Sequence, residues 1–328
     1  MSRQQAANAS LVGSFADTFD AIVSNVSRVI QGKDVPTRLA LVCLVSEGHL
    51  LLEDVPGVGK TTLAKALARS FDLDCRRIQF TPDLLPSDVT GISVFDRATG
   101  AFSFRPGPVF ANVVLGDEIN RASPKTQSAL LEAMQEQQVT VDNVTHFLPS
   151  PFLVIATQNP VEHEGTYPLP ESQLDRFLLR IRMGYPDRSA EVEMLDVYGH
   201  GKSPDDLPAV AGEGAIPAMV SLANQIHVAS AIKGYIVDLA TATRTHPALS
   251  LGMSPRAALA LQRSSRAFAA SESREYVIPD DVKTLFGPVV EHRLMLSPEA
   301  LVSGVELVEV MADVLRSVPV PTGRGGVS

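Results

Sequence analysis

Three observations predict an α/β fold in which a parallel sheet is covered by helices on both faces and followed by a C-terminal all-helical domain. From Ala16 to Tyr185 short apolar runs alternate with helical periodicity, after Tyr185 only the helical periodicity persists, and an early glycine-rich turn joins an apolar run to an amphipathic helix. The candidate strands are His49 to Leu52, Ile78 to Phe80, Asn112 to Leu115, Leu153 to Ala156 and Leu178 to Ile181. Between them, Thr61 to Ser70 places Leu63, Ala64, Leu67 and Ala68 on one helical face. Ser123 and Pro124 make an N-cap and first-turn proline ahead of Leu130, Leu131 and Met134.

Beyond Tyr185 the pattern predicts helices over Arg188 to Tyr198, Ala218 to Thr241, Pro255 to Ala270, Pro279 to Leu294 and Pro298 to Leu315. The Gly-, Pro- and Asp-rich His200 to Gly214 reads as an exposed loop within this part. The expected organisation is a flexible start over 1–15, an α/β domain over 16–187, a helical domain over 188–316 and a disordered tail over 317–328. Two alternating pairs read as hairpins: Ile92 to Phe95 with Ala101 to Phe104, and Val139 to Val141 with Thr145 to Phe147 around Asp142 and Asn143.

Composition excludes several classes. With 328 residues the chain is long enough to bury a large core without staples, and its two cysteines, Cys43 and Cys75, sit in apolar or mixed elements where a disulfide framework is not expected. No signal-peptide pattern and no uncharged apolar run of membrane-spanning length is present, so a cytoplasmic protein without membrane insertion is expected. A net charge of −9 argues against a dedicated nucleic-acid binder, as do hairpins whose basic residues are Arg97 and Arg105.

The chemistry is carried by strand ends. Asp54-Val-Pro-Gly57-Val-Gly59-Lys60-Thr61-Thr62, between the strand at Leu50 and the helix after it, reads as a phosphate-binding loop. Glycines let backbone N–H groups turn toward phosphate oxygens, Lys60 can reach the β and γ phosphates, and the Thr61 hydroxyl can ligate Mg²⁺. The usual first glycine of this loop is Asp54 here. The strand at Asn112 ends in Asp117 and Glu118, where the first acid can hold Mg²⁺ through water and the second can act as general base on an attacking water. The strand at Leu153 ends in Thr157-Gln158-Asn159-Pro160, and Asn159 is placed to orient that water. Glu162-His163-Glu164 carries ligand-type side chains without a second cluster and reads as a solvated loop.

From about Val29 to Leu294 the chain resembles the AAA+ ATPases and, more narrowly, the MoxR family. The resemblance rests on Ile30-Gln31-Gly32, Leu52 to Thr61, Gly116-Asp-Glu-Ile-Asn-Arg-Ala-Ser-Pro124, Ala156 to Pro160, Glu164 to Glu171, Gln173-Leu-Asp-Arg-Phe177 and Ser254-Pro-Arg-Ala257. It implies a five-stranded sheet ordered 5-1-4-3-2, a helical lid, and a ring, commonly a hexamer, with ATP between subunits. It makes Asn159 sensor 1, Arg176 the arginine finger and Arg256 sensor 2, with Arg121 a second interface candidate. The nucleotide-binding candidates are then Gln31, Gly32, Pro56, Gly57, Val58, Gly59, Lys60, Thr61, Thr62 and Asp117, with Thr61 and Asp117 on the metal.

The two hairpins look like the helix-2 insert and pre-sensor-1 hairpin of the clade that also holds magnesium chelatase; ordinary β-ribbon decoration is the competing reading. The function implied is ATP-driven, chaperone-like remodelling or maturation of a partner complex, with a von Willebrand factor A domain protein as associate. The alternatives are a chelatase-type motor subunit, a nucleotide-gated scaffold with little turnover, and a nucleic-acid remodeller.

Overall fold

The structure, a computed structural model, describes residues 3–55, 57–98, 100–159, 166–192, 203–212 and 214–321, with backbone alone for 3–10. The first half runs α1 (Arg3–Ser27), α2 (Asp34–Val45), β1 (Leu50–Glu53), α3 (Lys60–Ser70), β2 (Cys75–Gln79), α4 (Pro86–Thr90), β3 (Gly91–Asp96) and β4 (Ala101–Pro106). It continues through β5 (Val113–Asp117), α5 (Pro124–Glu136), β6 (Gln138–Val141), β7 (Val144–Phe147), β8 (Leu153–Gln158), α6 (Glu171–Leu174) and β9 (Leu179–Ile181). By contacts the chain divides into two compact units: Ala21–Phe177 with Ile181–Pro217, and Met1–Asp20 with Leu178–Arg180 and Ala218–Ser328.

The five-stranded sheet is ordered β2-β5-β8-β1-β9, which is the expected 5-1-4-3-2 when its strands are numbered in chain order. The pairings β1–β8, β5–β8 and β2–β5 are parallel. Successive strand residues face opposite sides, so Leu51, Val114, Val154 and Ala156 share a core with Leu130, Leu131 and Met134 of α5. Leu50, Leu52, Val113, Leu115, Leu153 and Ile155 turn the other way and are equally buried, and α3 packs on β5 and β2. Burial on both faces is why these strands read as continuous apolar runs in the sequence. The α5 cap is as expected, with the Ser123 hydroxyl accepting from the Thr126 N–H at 3.4 Å.

His49 stands just before β1 as a buried polar bolt. Its Nδ1 accepts from the Val154 N–H at 3.0 Å, which leaves the proton on Nε2 to donate to the Met134 carbonyl at 3.0 Å. One imidazole thus joins β8 to the last turn of α5. Both expected hairpins form, β3 with β4 and β6 with β7. They meet where the Phe104 ring stacks on His146, centroids 3.8 Å apart and planes 16° from parallel. Cys43 is buried, and burial pushes the half-buried Cys75 thiol up to about 11, so both behave as small core residues.

The second part adds α7 (Ala215–Gln225), α8 (Ser230–Thr245), β10 (Leu249–Leu251), α9 (Pro255–Ser271), α10 (Pro279–Val290), β11 (Met295–Leu296), α11 (Pro298–Val302) and α12 (Leu307–Ser317). Four expectations need correction. Residues 3–15, within the start expected to be flexible, belong to helix α1, and Val12, Phe15, Ala16 and Phe19, at helical spacing, are buried. The single helix expected over Ala218 to Thr241 is two, because the His227 N–H donates to the Glu275 carbonyl at 2.9 Å and its carbonyl accepts from Val277 at 3.0 Å, pulling the chain into an extended bridge. The helix expected to Leu294 ends at Val290 and tightens into a 3₁₀ turn over Glu291–Arg293. The helix expected over Pro298 to Leu315 breaks after Val302, where Gly304 takes φ 72°. Residues 188–192 begin the expected helix there; 193–198, and the tail beyond 321, lie outside the described residues.

This unit is held by a buried ion pair. Asp281, 2 % exposed, accepts from both terminal nitrogens of Arg274 at 2.6 and 2.5 Å and caps α10 by accepting from the Ile278 N–H at 2.8 Å. The carboxylate holds the Arg274 guanidinium above its usual pKa.

Replacing His49 by Leu strands a buried amide and a carbonyl, a loss of about 2 kcal/mol. The expected outcome is a melting midpoint lower by roughly 4 to 8 °C by calorimetry or circular dichroism.

Candidate functional site

The phosphate-loop candidates follow β1 directly. Gly57 and Gly59 take φ 84° and 95°, a left-handed turn that side chains with a Cβ resist, and Gly59 is the N-cap of α3. No side chain caps that helix and its first turn holds no acid. Its leading N–H groups are therefore suited to anionic oxygens. The Lys60 ammonium donates to the Asp54 carbonyl at 2.9 Å, folding back over the loop it closes. Thr61 and Thr62, half-buried, occupy the first turn of α3; Pro56 lies outside the described residues. Val58 is buried and, with Ile30, Gln31, Lys33, Thr62 and Pro186, lines a cavity beside the loop. Gly32, φ 66°, has no room for a Cβ, which would meet the Ala190 Cβ at 2.8 Å.

The acidic pair is organised by a residue the sequence reading gave no role. Thr157 is fully buried, and its hydroxyl donates to Asp117 Oδ1 at 2.6 Å while accepting from the Glu118 N–H at 2.8 Å. Glu118 itself is left-handed, φ 56°, which turns its side chain off the end of the strand. Its Oε2 accepts from Gln79 Nε2 and from Arg121 Nη1, each at 3.0 Å. The other Asp117 oxygen accepts from Arg77 Nη2 at 2.6 Å. Arg77 and Gln79 are two apart on β2, whose register sets Gln79 beside Asp117. Nothing local in Cys75-Arg-Arg-Ile-Gln79 marks those side chains; the pairing of distant strands does.

Asp117, 14 % exposed at its side chain, and the Thr61 hydroxyl are hard oxygen donors of the kind Mg²⁺ takes. Among the described residues no group of three or more His, Cys, Asp or Glu could hold a metal by itself.

Asn159 follows the last residue of β8 and is 6 % exposed. Gln127 of α5, also missed from sequence, fixes the loop after Glu118 by donating to the carbonyls of Ile119, Ala122 and Tyr167 at 3.2, 3.2 and 2.9 Å. Arg121 pairs with Glu118 of its own chain. Arg176 donates to the Leu131 carbonyl of α5 at 2.7 Å rather than to the acidic pair. Arg256 is exposed in the first turn of α9, in the other compact unit. The backbone before it is fixed by Met253, whose N–H donates to the Thr243 hydroxyl at 2.9 Å and whose carbonyl accepts from Arg244 Nε at 2.8 Å. Glu162, His163 and Glu164 lie outside the described residues.

Comparison with known proteins matches residues 49–179 to the ATPase family associated with various cellular activities (AAA) and residues 241–314 to the AAA lid domain. The chain is 49 % identical to the YeaC protein of Bacillus subtilis over 93 % of its own length and 95 % of that protein's. It is 42 % identical to the Chaperone MoxR1 of Mycobacterium tuberculosis over 93 % and 82 %, and 31 % identical to the MoxR protein of Paracoccus denitrificans over 89 % and 93 %. A crystal structure from Cytophaga hutchinsonii, 35 % identical, superposes with a TM-score of 0.90 over 98 % of this chain and all of that one.

Thr157→Val keeps the shape and removes the hydroxyl that orders both acids. The expected result is ATP turnover reduced by about 10- to 100-fold with nucleotide affinity retained, read by steady-state hydrolysis beside equilibrium binding.

Proposed function

The chain belongs to the MoxR family of AAA+ ATPases, and on that premise we propose that it binds ATP with Mg²⁺ and hydrolyses it to drive chaperone-like remodelling or maturation of a partner protein complex. The observation that carries the reading is the single Thr157 hydroxyl that orders Asp117 and Glu118 together. A pair of exposed strand-end acids with no catalytic duty needs no such arrangement.

In this reading the loop from Pro56 to Thr62 wraps the phosphates, Lys60 leaves the Asp54 carbonyl for the β and γ phosphates, and Gln31 and Gly32 border the nucleotide. Thr61 and Asp117 would hold the metal, which when bound would supply positive charge to screen the phosphate oxygens. Glu118 takes a proton from water as the water oxygen bonds to the γ phosphorus and the bond to the β–γ bridging oxygen breaks, giving ADP and phosphate. Asn159, at the end of the neighbouring strand, orients the water.

Arg176 and Arg256 complete the site through their permanent charge and planar donors. Arg176 acts across the interface of a homo-oligomeric ring, a hexamer, after exchanging the Leu131 carbonyl for a neighbour's γ phosphate. Arg256 senses nucleotide from the lid. A von Willebrand factor A domain protein is the proposed associate. No helix among the described residues is long and apolar enough to cross a membrane, and we place the work in the cytoplasm. The name of the Mycobacterium tuberculosis relative, Chaperone MoxR1, supports protein remodelling over metal insertion or work on nucleic acid.

Glu118→Gln should bind ATP normally and lose about 10² to 10⁴ in turnover, measured by phosphate release beside calorimetric binding. Wild-type protein that binds ATP without turnover, alone or with added partner, would instead support a nucleotide-gated scaffold.

Arg176→Ala should cost about 10³ or more in rate. Mixing it with Lys60→Ala subunits, which lack the phosphate contact, should restore part of the activity; co-assembled rings that stay inactive would refute action in trans.

A further inference from the structure

Asp54 stands where phosphate loops usually carry their first glycine, and a carboxylate 9 % exposed at the mouth of an anion site is costly unless it is engaged. It is engaged on both oxygens. Oδ1 accepts from the Val55 N–H at 2.9 Å, and Oδ2 accepts from the Gly184 N–H, 130 residues away, at 2.6 Å. The same short stretch of chain is gripped from its other side by a cation. Lys33, 5 % exposed, donates its ammonium to the carbonyls of Met183 at 2.9 Å and Gly184 at 3.0 Å. A buried anion therefore holds the amide of Gly184 while a buried cation holds its carbonyl, and each charge is satisfied through the peptide groups between them.

Two residues beyond Gly184 lies Pro186, which lines one cavity together with Ile30, Gln31, Lys33, Val58 and Thr62. That cavity is the space next to the phosphate loop, and Val29, Ile30, Val58 and Pro186 give it the apolar lining a flat base requires. The Asp54 carboxylate ties the first residue of the phosphate loop to the backbone that leads to Pro186, and the Lys33 ammonium ties the same backbone to the segment carrying Gln31 and Gly32.

We propose that Asp54 and Lys33 are positioning residues for the nucleotide base: through the 183–184 backbone they set where Pro186 stands beside the segment carrying Ile30, Gln31 and Gly32, and so the wall against which a purine ring packs next to the phosphate loop. The role rests on the nucleotide-binding reading above and adds to it a division of labour. The glycines and Lys60 bind the phosphate chain, while Asp54, though inside the loop, acts on the base.

The test is to measure affinity for ATP and for inorganic tripolyphosphate, which lacks the base, in wild type, Asp54→Gly and Asp54→Asn, with Mg²⁺ present throughout. Asp54→Gly, which restores the common loop residue, should weaken ATP about tenfold, the equivalent of one charge-assisted hydrogen bond, and leave tripolyphosphate unchanged. Asp54→Asn keeps one acceptor for Gly184 and should recover most of the loss. Lys33→Met releases the same backbone from its other side outside the phosphate loop, so it should give the same split and carries the test if Asp54→Gly does not fold. Equal losses for ATP and tripolyphosphate would overturn the proposal, since Asp54 would then merely shape the loop; so would no loss of either. Wild type that binds neither would refute the nucleotide site itself, a different result from any of these.

Discussion

The central strands β1, β5 and β8 are buried on both faces, which leaves them one place to put polar side chains, the carboxyl ends, and the rest of this structure follows from that constraint. Glu53 pairs with Gln158 and Gln79 with Asp117 at the last rungs of their ladders. Before Thr157 the interiors of β1, β5 and β8 are Leu, Val, Ile, Ala or Gly, while the edge strand β2 carries exposed Arg76 and Arg77; all four ends are amide or acid. The candidate site forms at these ends because polar groups are kept out of the buried interiors of the three central strands.

Gathering charge at one edge creates a second problem, which is to keep acids from folding against one another or against the loop. The solution throughout is a buried polar group held by more than one partner. The Thr157 hydroxyl spends its proton on one acid and a lone pair on the backbone of the next. His49 uses both ring nitrogens to bind a strand to a helix. In the other unit Asp281 accepts from Arg274 and from its own helix end at once. Such groups stabilise little relative to apolar replacements of equal volume, but losing one partner costs several kcal/mol, so they fix geometry more than they add stability.

The hairpins follow a different logic. Phe104 on His146 anchors one ribbon to the other, yet farther along the first ribbon Phe95 and Phe102 face each other at 50 and 74 % exposure. Side chains of that size left in water on paired ribbons make an exposed apolar patch.

What the sequence determined by itself is what local rules govern. Apolar periodicity marked the core strands, Ser123 and Pro124 the start of α5, and the spacing from Gly57 to Thr62 and the acids at 117–118 the candidate site, because each depends on neighbours within a few residues. What only the tertiary structure decided is what depends on strands and loops far apart in the chain. Nothing near Arg77 or Gln79 says that β2 lies beside β5 in the register that points both at the acids. Nothing near Asp54 says that its partner is the amide of Gly184, and nothing near His227 says that the helix must break to pair with 275–277. A hydrogen bond is specific to geometry a few ångströms across, and sequence carries that geometry across more than 100 residues only through the packing of everything between.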